Sequence, residues 1–161
     1  MVVKRALDII ICSGTLIVIS PFLLIISSLV KLTSSGPVFF VQERIGRGKR
    51  VFKMYKIRTM RVTHHASDVW TAADSFAVTP IGKFLRDYGL DELPQLFNIL
   101  TGDMSIVGPR PPLATQIARY DERLSRTFDM RPGVLSLAAA KGRRSISAEE
   151  RMELHLKYVE D

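Results

Sequence analysis

Residues 9–30 read IIICSGTLIVISPFLLIISSLV, a run of 22 residues without a charged side chain. As a straight helix this run would be about 33 Å long, which is enough to cross the hydrocarbon core of a bilayer. A cleaved signal peptide is disfavoured because the run is long and no A-x-A-like cleavage site follows it. The sequence therefore predicts an N-terminal membrane segment.

Pro21 lies near the middle of this run and predicts a break or kink, because proline lacks an N–H and collides with the carbonyl four residues back. The hydroxyl of Ser20 is expected to bond a backbone carbonyl freed there. Two topologies fit, a kinked span and a re-entrant hairpin. Basic residues on both sides, Lys4 and Arg5 before the run and Lys31 after it, suit the hairpin. On the residues alone a single span is nevertheless favoured.

The whole chain has 161 residues and a net charge of +7. This length suits one domain with a modest core. With 47% hydrophobic and 24% charged residues, collagen-like, low-complexity and wholly disordered classes are excluded. A single Cys excludes a scaffold held by internal disulfides. A basic body beside a membrane segment indicates anionic partners, namely lipid headgroups, phosphates or nucleic acid.

Two β-rich runs follow the membrane segment and are spaced like a hairpin, VFFVQERIG at 38–46 and VFKMYKIRTM at 51–60. In the second run Lys56 and Arg58 fall on one strand face, and a solvated basic face and a phosphate-binding face are equally supported. Residues 61–78 have weak periodicity. His64 in this stretch, with its neighbour at 65, has no third metal ligand at a recognisable spacing.

Four later segments show the apolar spacing of amphipathic helices. The first is expected to begin at Thr79–Pro80 and to end near Gly89. The second carries an apolar stripe over 93–100, with Asp91 suited to its N-cap. The third is predicted over 113–128, and the last opens with a capping box at 147–150.

Candidate chemistry centres on Asp91 and Glu92 at the predicted helix start, where unpaired N–H groups and the helix dipole stabilise an anion. Two adjacent carboxylates repel, and a divalent cation would relieve this while recruiting phosphate oxygens. Taken alone, the dipeptide favours plain helix capping. Arg86 upstream and Arg110 in a proline-flanked loop change the balance, because a guanidinium suits a phosphate or a planar base.

The stretch IGKFLRDYGLDELPQLFNILTGDMSIVGPRP at 81–111 resembles the core signature of the bacterial sugar transferases, the monotopic phosphoglycosyl transferases that begin glycan assembly on polyprenyl phosphate. KRALD, the Ser20–Pro21 pair, GPVFFVQERIG and KIRTM are similar to further motifs of that family. The resemblance extends from Lys4 to about Gly133. It implies a Mg²⁺-dependent enzyme that moves a sugar 1-phosphate from a UDP-sugar to polyprenyl (undecaprenyl) phosphate and releases UMP, initiating synthesis of a membrane glycoconjugate such as an exopolysaccharide.

The resemblance also implies roles for single residues. Asp91 would be the nucleophile that forms a covalent phosphosugar intermediate, and Glu92 its partner carboxylate, with both binding the metal. Arg86 would support the nucleophile, and Arg110 would recognise the nucleotide.

Lys56 and Arg58 are further candidate substrate-binding residues. The implied fold is mainly α with a small β-hairpin. A re-entrant, proline-broken membrane helix over residues 1–32 would be continuous with a catalytic region over 33–161, whose amphipathic helices lie at the interface. The implied location is the bacterial inner membrane, with the catalytic region facing the cytoplasm. Expected partners are a UDP-sugar, polyprenyl phosphate and membrane phospholipid; no nucleic acid is expected, and oligomerisation is left open.

One stretch departs from the family pattern. After Gly133 the chain reads VLSLAAAKGRR where many members carry a Trp and a Gln, and we expect this difference to bear on donor specificity. The alternative from another class is a non-catalytic, membrane-anchored basic module that binds anionic lipid or nucleic acid through RGKR and KGRR. The transferase is favoured because no base-stacking aromatic residues are interleaved with these basic clusters.

Overall fold

The computed structural model describes residues 2–61, 78–142 and 146–160, which are mostly helical. In chain order the regular elements are α1 (Val2–Thr33), β1 (Phe39–Ile45), β2 (Val51–Ile57), α2 (Pro80–Tyr88), α3 (Gln95–Thr101), β3 (Ser105–Val107), α4 (Glu122–Ser125), β4 (Gly133–Leu135), α5 (Leu137–Lys141) and α6 (Ala148–Glu160). Strands β1 and β2 form one two-stranded sheet, as the spacing predicted, and β3 and β4 form another. The two adjacent histidines at 64 and 65 lie outside the described residues.

The predicted N-terminal apolar segment is confirmed and forms helix α1. Among the described residues it is the one helix long and apolar enough to cross a membrane. Most of its apolar surface is exposed, including Ile17, Val18 and Leu24. A contiguous exposed apolar surface of this kind is typical of a site that contacts lipid or another protein.

The predicted break at Pro21 is wrong at the level of secondary structure, because α1 continues through it, whereas a kink there stays a prediction. A proline at this position leaves the carbonyl of Ile17 without its usual N–H partner. The Ser20 hydroxyl donates to that carbonyl at 2.9 Å, which confirms the predicted compensation. The re-entrant topology itself stays a prediction.

The chain forms two compact units, and α1 and the β1–β2 hairpin contribute residues to both. Unit 1 contains Met1–Ser13, Gln42–Met54 and Gln95–Asp161, and unit 2 contains Gly14–Val41 and Tyr55–Pro94. Each unit has its own apolar core. The buried core residues of unit 1 are Cys12, Phe52, Met54, Ile99 and Met104. Those of unit 2 are Ile26, Val30, Ile57 and Leu85.

Hydrogen bonds of polar side chains hold the first turns of α1 in unit 1. Arg5 donates to the carbonyl of Leu100 at the end of α3, at 2.9 Å. The carboxylate of Asp8 is buried and accepts from the Ser105 hydroxyl at 2.8 Å and from the Ile106 N–H at 3.2 Å. These two bonds explain how an acidic residue is tolerated beside an apolar run.

Lys4 links the same end of α1 to the last helix. Its ammonium group donates to the Tyr158 hydroxyl at 2.6 Å and to the Val107 carbonyl at 2.8 Å. The Tyr158 hydroxyl donates to the same carbonyl at 3.0 Å. The first and last helices and the end of β3 thus meet at one polar contact.

The β3–β4 sheet was not predicted from the sequence. Its strands are parallel, with Ser105 opposite Gly133 and Val107 opposite Leu135. A Cβ at Gly133 would lie 2.0 Å from the backbone nitrogen of Gly108, so only glycine allows the two segments to approach this closely.

The long helix predicted over 113–128 is wrong. A 3₁₀ turn over Ala114–Arg119 is followed by the one-turn α4 and by a second 3₁₀ turn. The interruption lies at Tyr120, which is extended, and the side chain of Asp121 then accepts from the Leu124 N–H at 2.7 Å and starts a new turn. A short acidic side chain that bonds nearby backbone in this way competes with helix continuation. The rings of Tyr120 and Phe128 still meet, with centroids 5.1 Å apart.

The last helix follows the predicted capping residue, since the hydroxyl of Ser147 accepts from the Glu150 N–H at 3.0 Å. His155 in this helix is buried, and its Nδ1 has no hydrogen-bond partner among the described residues. Burial, with the nearby charges of Arg151 and Arg110, lowers the pKa of His155 from 6.5 to about 4. The imidazole is therefore neutral in the folded chain at neutral pH.

A neutral buried imidazole predicts that stability decreases in mild acid. The unfolded chain binds a proton on His155 with the ordinary pKa of 6.5, whereas the folded chain does so only near 4. The free energy of unfolding should therefore fall by about 3 kcal/mol in total as the pH drops through this window. Thermal unfolding of the detergent-solubilised protein between pH 7.5 and 5 measures the slope, and His155→Leu should flatten it. Equal slopes in both proteins would show that His155 protonates freely in the folded chain.

Candidate active site

The helix that carries Arg86 begins and ends as the sequence predicted. The Thr79 hydroxyl accepts from the Gly82 N–H at 2.9 Å, and Pro80 is the first helical residue. Gly89 ends the helix in the left-handed conformation with φ of 70°. A glycine adopts this conformation without strain and lets the chain turn sharply after the last helical residue. Arg86 consequently lies in the last turn of α2, close in sequence to the acidic pair.

Asp91 is not the N-cap of the next helix, which corrects the prediction. A three-residue 3₁₀ turn, Leu90–Glu92, directly follows Gly89, and α3 begins only at Gln95. An N-cap residue needs extended backbone. Asp91 instead lies inside this turn, which begins directly after Gly89 reverses the chain. The acidic pair therefore belongs to the connection between α2 and α3.

The Asp91 carboxyl is almost buried, with 9% of the residue exposed. Burial raises the pKa of Asp91 above its usual value, Lys56 and Arg86 act to lower it, and Glu92 acts to raise it. Loss of water disfavours the charged form, and neighbouring cations favour it. The ionisation of this carboxyl therefore depends on the two basic residues beside it.

Lys56 at the end of β2 forms an ion pair with the second carboxylate. Its Nζ lies 2.8 Å from Oε1 of Glu92, and their side chains are only 16% and 22% exposed. An ion pair with this little solvent is screened less than a surface pair. Lys56 thus neutralises Glu92 and acts on Asp91 as well, so the structure brings three of the predicted site residues together in unit 2.

Arg86 is oriented by a residue that sequence reasoning did not select. Its Nε donates to the Thr59 hydroxyl at 2.8 Å, and Thr59 is 6% exposed. Lys56, Thr59, Arg86, Asp91 and Glu92 together are called the dyad site below. The signal that could have found Thr59 is its place in the motif KIRTM, directly after the two basic residues.

Arg58 lies close to this site in sequence, and its described contacts are with the end of α1. It is 6% exposed and donates to the carbonyl and the hydroxyl of Ser34 at 2.8 and 2.9 Å, and also to the Ser35 carbonyl. A solvated basic strand face is therefore the wrong interpretation for Arg58. Its guanidinium binds the carbonyls of the two residues that follow α1, next to the C-terminal end of the helix, where a cation is favoured. A role in substrate binding stays a prediction.

Arg110 belongs to unit 1 and is exposed between the buried residues Pro109 and Pro111. The loop is held by the backbone of β1, whose Ile45 N–H donates to the Pro112 carbonyl at 3.1 Å. Arg44 donates to the Pro111 carbonyl, also at 3.1 Å. The prolines thus present Arg110 at the surface of unit 1 from a fixed backbone. Nucleotide recognition by this side chain stays a prediction.

The candidate metal ligands are two carboxylates. Within residues 2–61, 78–142 and 146–160, no cluster of three or more His, Cys, Asp or Glu side chains could hold a metal ion. Mg²⁺ usually binds one or two carboxylates and completes its coordination with water and substrate phosphates. Asp91 and Glu92 therefore fit such an ion, although Mg²⁺ would compete with Lys56 for Glu92.

Comparison with known proteins agrees with the motifs. A family model described as bacterial sugar transferase matches residues 1–161. A UDP-glucose:undecaprenyl-phosphate glucose-1-phosphate transferase of Klebsiella pneumoniae is 42% identical over 98% of this chain, which spans 35% of that protein. The exopolysaccharide production protein ExoY of Rhizobium meliloti is 36% identical over 98% of the chain and 77% of its own length. An uncharacterized sugar transferase of Bacillus subtilis, EpsL, is 37% identical over the whole chain and 79% of its own length. The chain therefore belongs to the bacterial sugar transferase family.

Proposed function

We propose that this chain transfers a sugar 1-phosphate from a UDP-sugar to polyprenyl phosphate, such as undecaprenyl phosphate, and releases UMP. The observation that carries the proposal is the buried carboxyl of Asp91 with Lys56 and Arg86 beside it, in a member of this family. Relatives named for the transfer of glucose 1-phosphate or N-acetylgalactosamine phosphate to undecaprenyl phosphate support the reaction class. Family membership also favours this activity over the basic binding module.

The reaction proceeds in two displacements at one phosphorus atom. A carboxylate oxygen of Asp91 attacks the phosphorus that bears the sugar, the bond to the bridging oxygen breaks, and UMP leaves with that oxygen and its electron pair. A phosphate oxygen of the polyprenyl phosphate then attacks the same phosphorus, and Asp91 leaves as a free carboxylate. The products are UMP and polyprenyl diphosphate sugar. An ionised carboxylate is a competent nucleophile without a general base.

The neighbours of Asp91 supply what both displacements need. Lys56 and Arg86 favour the ionised carboxylate against the effect of burial, and they offset negative charge on the transferred phosphoryl group. Glu92, held at 2.8 Å from Lys56, is oriented as the second carboxylate. Mg²⁺, when bound by Asp91 and Glu92, would neutralise charge on the diphosphate. Arg110 is proposed to recognise the nucleotide.

We also propose that both ends of α1 lie on the cytoplasmic side of the bacterial inner membrane. Arg5 and Asp8 at its N-terminal end bond residues of α3 and β3, which follow α1 in the chain. A second helix able to cross back does not occur among the described residues, and residues 62–77 are fewer than the roughly 20 that a span needs. The start of α1 then shares a side with the chain after its end, which favours a re-entrant or surface arrangement over a span.

The nucleophile assignment is tested with Asp91→Asn, an isosteric change that removes the negative charge. Release of UMP from a panel of UDP-sugars is measured in detergent with Mg²⁺, with and without undecaprenyl phosphate. We expect roughly a thousandfold loss or more in Asp91→Asn. After incubation with donor alone, the intact mass of the wild type should increase by one sugar phosphate, and that of the variant should not. Glu153→Gln, which alters an exposed ion pair, is the matched control and should retain activity. Substantial turnover by Asp91→Asn would refute the assignment.

The topology is tested by labelling single cysteines in bacterial spheroplasts. Val3→Cys and Glu149→Cys, both at exposed positions, are placed in a Cys12→Ala background. A membrane-impermeant maleimide should label neither site until the membrane is permeabilised, because both face the cytoplasm. Labelling of only one of the two sites in intact spheroplasts would indicate that α1 spans the membrane.

A further inference from the structure

We propose that Thr59 is a positioning residue for the proposed reaction: its hydroxyl fixes the guanidinium of Arg86, through which it acts on Asp91. This inference rests on the proposed function for its effect on turnover. The contact itself is a feature of unit 2 and can be tested without turnover.

The contact is short and partly buried. The Arg86 Nε donates to the Thr59 hydroxyl oxygen at 2.8 Å, and Thr59 is buried. A hydrogen bond from a charged donor contributes more than one between neutral groups. The bond at Nε also restricts rotation of the arginine side chain, so the planar guanidinium has a defined direction.

The backbone of Thr59 is fixed to the helix that carries Arg86. Its carbonyl accepts from the Thr79 N–H at 3.0 Å, at the start of α2. A Cβ at Gly82 would lie 1.9 Å from the same carbonyl oxygen, so the first turn of α2 lies directly on Thr59. Thr59 therefore holds α2 through its backbone at the first turn and through its hydroxyl at the last turn.

Arg58, the residue before Thr59, attaches the same stretch of backbone to the chain at the end of α1. Arg58 binds the carbonyl and hydroxyl of Ser34 at the end of α1, so the backbone at 58–59 is restrained on both sides. A threonine suits this position because its branched side chain restricts χ1 and its hydroxyl can accept a hydrogen bond. Valine has nearly the same shape without the acceptor, and serine keeps the acceptor.

The consequence concerns the charge beside the proposed nucleophile. Arg86 is one of two cations that favour the ionised form of Asp91. Without the Thr59 hydroxyl, the Arg86 Nε would lose this partner, and the guanidinium would be held less firmly. The position of this cationic group beside the acidic turn therefore depends on the Thr59 hydroxyl.

The first experiment compares Thr59→Val, Thr59→Ser and the control Thr101→Val, which removes an exposed hydroxyl of unit 1. The purified full chain is assayed for UMP release with saturating undecaprenyl phosphate, and its melting temperature is measured. We expect Thr59→Val to lower kcat roughly ten- to hundredfold with little change in KM for the donor. Thr59→Ser should remain within about threefold of the wild type, since it retains the acceptor. Wild-type turnover by Thr59→Val, or equal loss in both Thr59 variants, would overturn the proposal.

A double-mutant cycle tests whether Thr59 acts through Arg86. Arg86→Lys keeps the positive charge and removes the Nε donor. If the proposal is correct, adding Thr59→Val to Arg86→Lys should change the remaining activity by less than about threefold. The same ten- to hundredfold loss in both backgrounds would show that Thr59 acts independently.

A second measurement separates failure of this proposal from failure of the proposed function. The arginine Nε–H signals are followed by ¹⁵N NMR, with Arg86→Lys identifying the signal of Arg86. Exchange of the Arg86 Nε–H with water should be slow in the wild type and in Thr59→Ser, and fast in Thr59→Val. If no UDP-sugar yields UMP, the proposed function fails and this readout alone decides the contact. Equal exchange rates in the wild type and Thr59→Val would overturn it.

Discussion

A carboxyl group placed where little water reaches it is the constraint on which unit 2 depends. Removing a charged group from water costs several kcal/mol unless other charges and hydrogen bonds replace the solvent. Asp91 meets this condition through residues from separate segments, with Lys56 at the end of β2 and Arg86 in the last turn of α2. The core of Ile57 and Leu85 fixes these two elements, and Gly89 places the acidic turn directly after the helix.

The same principle explains the polar residues of the first helix. Asp8 and Arg5 lie beside a long apolar run, yet each is bound by groups of α3 and β3 rather than by the other. Arg58 plays a comparable part at the other end of α1, where it binds the carbonyls of Ser34 and Ser35. A helix whose middle is mostly exposed apolar surface is thus held to the folded chain by hydrogen bonds at its ends. Lipid does not offer such bonds, so these contacts are specific to the protein.

Local patterns predicted the features that depend on neighbours in sequence. The Thr79 cap, the left-handed Gly89, the Ser20 bond to Ile17 and the hairpin all follow from contacts across a few residues. The family resemblance identified the acidic pair and Arg86, and the strand pattern added Lys56.

Features set by distant contacts could not be predicted in this way. The β3–β4 pairing joins segments 28 residues apart, and its strands are too short to show a period. The failure of the helix predicted over 113–128 has a local cause instead, because the side chain of Asp121 accepts from the Leu124 N–H and starts a new turn. Thr59 carries no charge and its partner Arg86 is 27 residues away, so its place in KIRTM was the one local signal, and this signal does not predict the contact with Arg86.

The contact of Lys4 with Tyr158 has a consequence for biosynthesis. These residues are 154 positions apart, and unit 1 combines the first 13 residues with the segment after position 95. During synthesis, the first helix is complete long before Tyr158 is translated. At elongation rates of about 5–20 residues per second, synthesis from the end of α1 to Tyr158 takes roughly 6 to 25 seconds. If α1 lies in the membrane, as proposed, unit 1 closes only after synthesis, on a helix that can reach the lipid first.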